Sequence, residues 1–252
     1  MPLQFNRAVS VCPGISLIPS VLPPELLRTS VAYASRLYPD NGNPQPNIPP
    51  AEKHVPTAAS FTVGAAFDDS MLAAIMSGAA AECGQRLKQE LGDRILCDRD
   101  QSWVRRQYPP HRSPRWHAPH CWHQDGALGF PFASFPHGNY PADALLRMAT
   151  CWIALDPCGA EAPGLELVSQ PLLELLPPSE LTDARVRQRF AAEQFWRPDM
   201  QAGDAILFRG DVLHRTHVTP AMTRDRTSIE LRVFPANDIP ARLKGDRFLP
   251  SG

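Results

Sequence analysis

Proline sets the first limit on this fold. The chain carries 28 prolines among 252 residues, roughly twice ordinary usage. Each one fixes φ and removes an amide donor, so long helices are interrupted and strands stay short or lie at edges. A helical bundle is thereby disfavoured, and short elements joined by ordered loops are expected. β-prone runs fall at 94–97, 102–108, 145–155, 164–168, 204–208 and 227–234, separated by Pro, Gly and Asp. Helical spacing occurs at 24–38, at 68–91, where Met71, Leu72, Ile75, Cys83, Leu87 and Leu91 recur before Gly92, and at 179–194. Strands that follow one another without alternating helices favour an antiparallel sandwich or barrel over a doubly wound sheet. Residues 39–56 hold turn residues throughout and read as an exposed loop. The simplest partition is a single domain, 1–252: loops and helices in 1–100 that pack on a barrel, a β core in 101–235 and a C-terminal tail in 236–252.

Charge and cysteine usage narrow the function classes. Lys plus Arg is 25 against 26 for Asp plus Glu, so no global field draws in nucleic acid or an anionic membrane. The six cysteines form no CxxC, which predicts reduced thiols and a cytoplasmic setting. Pro13, Pro19 and Pro23 interrupt any signal-peptide core, and the apolar stretch at 71–83 is too short to span a bilayer. The expected partner is a small molecule; oligomeric state is left open.

The histidines carry the chemistry. His111, His117, His120, His123 and His137 crowd one Pro- and aromatic-rich stretch, and His214 and His217 follow far downstream. In WHQDGALGF (122–130), His123 and Asp125 are two residues apart, so on an extended chain both project to one side and converge on one cation. A third ligand from the 214–217 pair would complete two His and one carboxylate, the facial set of non-haem Fe(II) oxygenases. Three positions then remain open, two for a bidentate 2-oxo acid and one for dioxygen. Downstream, Arg226, Ser228, Glu230 and Arg232 share one strand face, and Thr227, Ile229, Leu231 and Val233 share the other. The polar face is expected to look into the barrel.

HQD at 123–125, TCWIAL at 150–155, PGLELV at 163–168 and GD…LH…RxS from 203 to 228 together resemble the phytanoyl-CoA dioxygenase-like branch of the Fe(II)/2-oxoglutarate oxygenases. The resemblance spans about residues 101–235. It implies a mainly β fold with flanking helices, a double-stranded β-helix or distorted, cupin-like jelly roll. It also implies His123, Asp125 and His214 as iron ligands, and Arg226 and Ser228 as the grip on the distal carboxylate of 2-oxoglutarate. Thr216 and Gln107 would be further cosubstrate contacts. The implied reaction uses Fe(II), 2-oxoglutarate and O2 to hydroxylate a C–H bond, releasing succinate and CO2. A carboxylate at Asp125 marks a hydroxylase rather than a halogenase, whose halide would need that position. One departure is Val218 and Thr219 where relatives commonly have Asn after the distal His.

Rival readings remain beside this one. A zinc-dependent hydrolase on a similar scaffold, or a non-catalytic binding member of the fold, would use the same barrel. His111, His117 and His120 read more simply as loop or surface residues than as a zinc site. Trp122 and Trp152 could line the cosubstrate pocket but read more simply as core or loop anchors. Arg105 or Arg106 could bind an acidic substrate, with at most one facing the barrel, but both read more simply as surface ion pairs, and Glu230 and Arg232 as partners. The 126–141 segment is either a lid presenting Leu128, Phe130 and Phe132 or a rigid loop shielding the metal.

Overall fold

Arg226–Pro235 is buried at every position, so both faces of this polar-apolar strand are covered, and the two covers organise the molecule. The computed structural model describes residues 9–38, 64–66, 68–79, 81–112, 119–135, 137–239, 241–243 and 248–250. In chain order the elements are β1 (Val9–Cys12), β2 (Ile15–Ile18), α1 (Pro24–Leu37), β3 (Gly64–Ala66), α2 (Asp69–Gly78), α3 (Ala81–Leu91), β4 (Ile95–Asp98) and β5 (Trp103–Gln107). They continue with β6 (Ala149–Ala154), β7 (Gly164–Val168), α4 (Asp183–Arg189), β8 (Phe195–Trp196), β9 (Ala205–Arg209), β10 (His214–His217), β11 (Arg226–Pro235) and β12 (Phe248–Pro250).

A nine-stranded sheet runs β1-β2-β9-β6-β11-β4-β12, with β5 paired to the first half of β11 and β3 paired to β5. Directly opposed residues of antiparallel strands share a face. Arg226, Ser228 and Glu230 therefore sit beside Gln107, Arg105 and Trp103 on β5, while Glu230 and Arg232 sit beside Trp152 and Thr150 on β6. The intervening Ile229, Leu231 and Val233 turn to the opposite side. There they join Val104, Ile153 and Leu207 in one cluster with Tyr33, Leu72, Ile75 and Leu87 from α1, α2 and α3. Burying each of these apolar side chains contributes roughly 1.5–3 kcal/mol. A three-stranded sheet, β10-β7-β8, forms the second layer, and Trp152, Ile206 and Phe208 of the large sheet pack against Leu165 and Leu167 of the small one. The result is a mainly β, double-stranded β-helix with its polar strand face turned inward.

Several elements differ from expectation. The helix foreseen over 68–91 is two helices. Asp68 caps the first through Met71 N, and Ala79 leaves the helix at φ −62°, ψ 149° after the weak helix formers Ser77 and Gly78. Of the helix expected over 179–194 only α4 is α-helical, with single 3₁₀ turns at Pro178–Glu180 and Ala192–Gln194; Phe190 is already extended. The strand expected from 145 starts at Ala149, because Leu146 and Met148 enter a separate cluster with Phe234 and Leu243. The N-terminal region supplies strands as well as helices and loops. β1 and β2 form a hairpin that extends the large sheet through β9, and β4 and β12 join the same sheet from outside 101–235. Residues 39–56 lie outside the described ones. None of the six cysteines forms a disulfide, and among the described residues no helix is long and apolar enough to cross a membrane.

The turn after Asp125 is anchored where two glycine backbones touch. Gly126 N–H donates to Gly210 O (2.8 Å), Leu146 N–H donates to Gly126 O (2.9 Å) and Gly210 N–H donates to Met148 O (2.9 Å). A Cβ at Gly126 would lie 2.8 Å from Gly210 O and 2.5 Å from Leu145 Cδ1, so backbone must move. Gly126→Ala is expected to destabilise the protein by about 1–3 kcal/mol in urea denaturation. Gly84→Ala, a helical position with nothing within 4 Å of the new atom, should be neutral or stabilising. Equal stability of Gly126→Ala and wild type would show that the glycine contact does not constrain the turn.

Candidate metal centre

His123 and His214 are held together by their own backbones. Each N–H donates to the other's carbonyl, at 3.0 and 3.1 Å, an isolated antiparallel bridge at the edge of the small sheet. Such a pair places both side chains on one face, and the imidazole centroids are 4.1 Å apart. His214 opens β10 directly after the buried Val212 and Leu213. Nδ1 of His123 lies 2.7 Å from Cys121 O and Nδ1 of His214 lies 3.1 Å from Val212 O. A carbonyl only accepts, so each Nδ1 carries the proton and each Nε2 presents a lone pair.

Asp125 reaches the same point because Gln124 is extended, with φ −124° and ψ 124°, and a 3₁₀ turn begins at Asp125. Its Oδ1 is 3.6 Å from His123 Nε2 and its Oδ2 is 3.8 Å from His214 Nε2. One ligand atom from each of the three residues lies within 4.8 Å of the others, the one such grouping of His, Cys, Asp and Glu among the described residues. Two bonds of about 2.1 Å to a shared ion span up to about 4.2 Å, so the measured carboxylate–imidazole separations suit one cation. Thr150 Oγ1 donates to Asp125 Oδ2 at 2.6 Å, and Arg232 Nη2 donates to Oδ1 at 3.1 Å. Burial by itself would raise the Asp125 pKa, but the Arg232 charge and the Thr150 hydroxyl pull it down and hold the carboxyl well below the usual range. Burial likewise depresses both imidazoles. Two neutral nitrogen donors and one anionic oxygen donor thus meet, a donor set that fits Fe(II) and leaves coordination positions open.

At the other end of the inner face, Arg226 is 3% exposed. Its Nη1 donates to Ser228 Oγ at 2.5 Å, its Nε donates to Pro163 O at 3.2 Å, and its guanidinium lies 4.8 Å over the Trp152 ring. Among the described residues no carboxylate comes within ion-pair distance of it, and burial lowers its pKa. A desolvated guanidinium without a counterion is costly unless a ligand supplies one. Gln107 sits beside Arg226 in the sheet, with its Nε2 donating to Tyr108 O at 3.3 Å. Thr216 is two residues from His214 on the same side of β10, and its N–H donates to His120 O at 3.0 Å. His217 takes the opposite side of β10, in the field of Arg197, Glu166 and Arg215.

Two residues read as surface groups belong elsewhere. His120 packs tilted against His123, with centroids 3.7 Å apart and planes inclined by 45°, and burial followed by the charge of Arg105 pushes its pKa down to about 3. Arg105 forms no surface ion pair: its Nε is 3.0 Å from Glu230 on the inner face, whereas Arg106 pairs with Asp225 at 2.9 Å. Alternation along WVRRQ carried the signal for Arg105, since Trp103, Arg105 and Gln107 share a side; nothing local marked His120. Arg232 does pair with Glu230 (3.2 Å), and its bond to Asp125 is an addition. Trp122 faces away, donating from Nε1 to Asp183, while His111 is exposed and His117 lies outside the described residues. In the 126–141 segment Phe130 packs against Phe132, Phe135 and Tyr140, which favours the rigid loop over the lid.

Residues 14–224 match the family model for phytanoyl-CoA dioxygenase. Solved structures share the fold at low identity. The non-haem, α-ketoglutarate-dependent epimerase SnoN of nogalamycin biosynthesis is 18% identical, with a TM-score of 0.61 over 95% of this chain and 94% of that one. EctD from S. alaskensis with bound Fe is 14% identical, with a TM-score of 0.63 over 89% and 74%. The carbocyclase SnoK, also from nogalamycin biosynthesis, is 16% identical, with a TM-score of 0.58 over 95% and 92%. No curated protein sequence matches the chain.

The two sides of β10 predict different metal behaviour. His214→Ala is expected to weaken Fe(II) binding by on the order of 100-fold or more, measured by anaerobic titration, while His217→Ala keeps wild-type affinity. Iron retained in His214→Ala and lost in His217→Ala would overturn this assignment.

Proposed function

The chain belongs to the phytanoyl-CoA dioxygenase family, a family of non-haem iron, 2-oxoglutarate-dependent oxygenases, and we propose that it hydroxylates a C–H bond of a small organic molecule. In this reading His123, Asp125 and His214 hold iron, Arg226 and Ser228 hold the distal carboxylate of 2-oxoglutarate, and Thr216 and Gln107 flank the cosubstrate. The observation that carries it is Arg226: a buried guanidinium lacking a carboxylate partner among the described residues, on the same sheet face as the group that holds Asp125. A zinc hydrolase would leave that cation without a task.

Bound iron and 2-oxoglutarate would supply the oxidising power, with one atom of O2 passing to the substrate and the other to succinate as CO2 is released. The chain supplies geometry. The Nδ1–H bonds to Cys121 and Val212 carbonyls keep both Nε2 atoms aimed at the metal, and Thr150 with Arg232 fixes the Asp125 carboxylate. Trp152 beneath Arg226 sets the plane of the guanidinium. Ser228 Oγ accepts from Arg226, so its own proton is left to donate to the cosubstrate carboxylate. Burial of Asp125, Thr150, Arg226, Ser228 and Arg232 excludes water from their contacts and strengthens them.

Hydroxylation asks least of the protein, because oxygen insertion needs only a C–H bond held beside the metal. Inversion or ring closure needs a further group to return hydrogen or fold the substrate. The described side chains that touch the three candidate ligands by ring or hydrogen-bond contact include His120, Thr150, Phe208 and Arg232, none a ready hydrogen-atom donor. Product mass separates the outcomes: one added oxygen from labelled O2 supports hydroxylation, whereas unchanged mass or loss of two hydrogens contradicts it.

Arg226→Leu is expected to weaken 2-oxoglutarate binding about 10- to 150-fold, the effect of losing about 1.5–3 kcal/mol of charge-assisted hydrogen bonding. Fe(II) affinity should stay at the wild-type value. Calorimetric titration of both ligands under argon makes the comparison, and unchanged 2-oxoglutarate affinity would remove Arg226 from the site.

A further inference from the structure

The inner face of the sandwich holds an excess of positive charge. Among the described residues, Arg105, Arg226 and Arg232 line it from β5 and β11, against the carboxylates of Asp125 and Glu230. These groups are desolvated: the Arg105 side chain is 13% exposed, Glu230 10% and Arg232 9%. The imidazoles add no charge as metal ligands, and a proton on His120 would only enlarge the excess.

Iron and 2-oxoglutarate leave the excess in place, because a dication and a dianion cancel. Asp125 and the 2-oxo acid's first carboxylate neutralise the metal, and the distal carboxylate neutralises Arg226. Arg105 and Arg232 are then left with a single carboxylate between them, and both lean on the same oxygen of it: Glu230 Oε2 lies 3.0 Å from Arg105 Nε and 3.2 Å from Arg232 Nη2. The Arg232 nitrogen is shared again with Asp125. Arg105 Nε, although close to Glu230, lacks hydrogen-bond geometry, and Arg232 Nη1 is buried with no partner. No described residue accepts a hydrogen bond from Nη1 or Nη2 of Arg105. This guanidinium stands opposite Ser228 in the sheet and shares Glu230 Oε2 with Arg232, the residue that holds Asp125. It therefore lies between the cosubstrate end and the metal end of the chamber, with no described acceptor on its fork.

We infer that Arg105 anchors an anionic group of the primary substrate, so that the enzyme takes a small organic anion and holds it by a carboxylate. The inference rests on the oxygenase reading above and names the substrate class for that site. A planar carboxylate matches the free edge of a guanidinium through two parallel charge-assisted bonds. It also removes the one charge that neither metal nor cosubstrate offsets, whereas a neutral substrate would leave that charge buried.

The test uses the full-length protein loaded anaerobically with Fe(II) and saturating 2-oxoglutarate, and acetate, propionate and benzoate as probes beside their primary amides. Binding is read by calorimetry and by perturbation of the visible charge-transfer band, with no turnover required. Wild type should bind at least one acid about tenfold or more tighter than its amide. Arg105→Gln should abolish that preference, Arg105→Lys should keep part of it, and 2-oxoglutarate affinity should be unchanged in both. Equal response to acids and amides, or no binding of any acid, overturns the inference. Loss of 2-oxoglutarate affinity in Arg105→Gln with the acid preference intact also overturns it and gives Arg105 to the cosubstrate. Absence of the charge-transfer band in wild type would instead sink the oxygenase reading, which keeps the two failures apart.

Discussion

Two backbone hydrogen bonds between His123 and His214 determine where everything else at this site falls. They join residues 91 positions apart in sequence, tie the segment after β5 to the small sheet, and turn both imidazoles to one side. Asp125 follows because only two residues separate it from His123, and the Gly126–Gly210 contact sets the direction in which the chain leaves. A hydrogen-bonded antiparallel pair has a narrow range of Cα separations. The candidate ligands are thus placed by scaffold rather than by loose side-chain reach, the condition under which site geometry is most reproducible.

The second constraint is electrostatic. β11 turns Arg226, Ser228, Glu230 and Arg232 into a chamber that burial would otherwise make apolar, and the opposite face of the same strand seals a hydrophobic core. Charged groups in such a place are poor investments in stability. Their arrangement fits the preorganisation proposed above: Arg232 holds Asp125 ionised, and among the described residues Arg226 has no carboxylate partner and the Arg105 fork no acceptor. Outside the chamber a comparable cluster is satisfied internally, with the buried Glu166 taken by Arg197 and Arg215.

Much of this was legible in the sequence wherever the signal is local. The alternation over 226–233 gave both faces of β11, the HxD spacing brought His123 and Asp125 together, and the offset of three between His214 and His217 put them on opposite sides of β10. Non-local facts were not legible. His120 looks like its neighbours in a Pro-rich run, and only the fold packs it against His123. Alternation put Arg105 on one side with Trp103 and Gln107, but its place against Glu230 came only with the register to β11. The break between α2 and α3 escaped the periodicity because both halves keep helical spacing and cover the same core. The N-terminal hairpin escaped because its strands are four residues each, bounded by Pro13 and Gly14.

The account centres on iron held by His123, Asp125 and His214 with 2-oxoglutarate reaching from it to Arg226. Crystals grown under argon with Fe(II) and 2-oxoglutarate, with anomalous data collected at the iron edge, address this directly. The account predicts one iron peak about 2.0–2.2 Å from Nε2 of both histidines and from an Asp125 oxygen, with the distal carboxylate against Arg226 and Ser228. Iron bound through His120 or His217, or a distal carboxylate seated on Arg105 with Arg226 left bare, would contradict it.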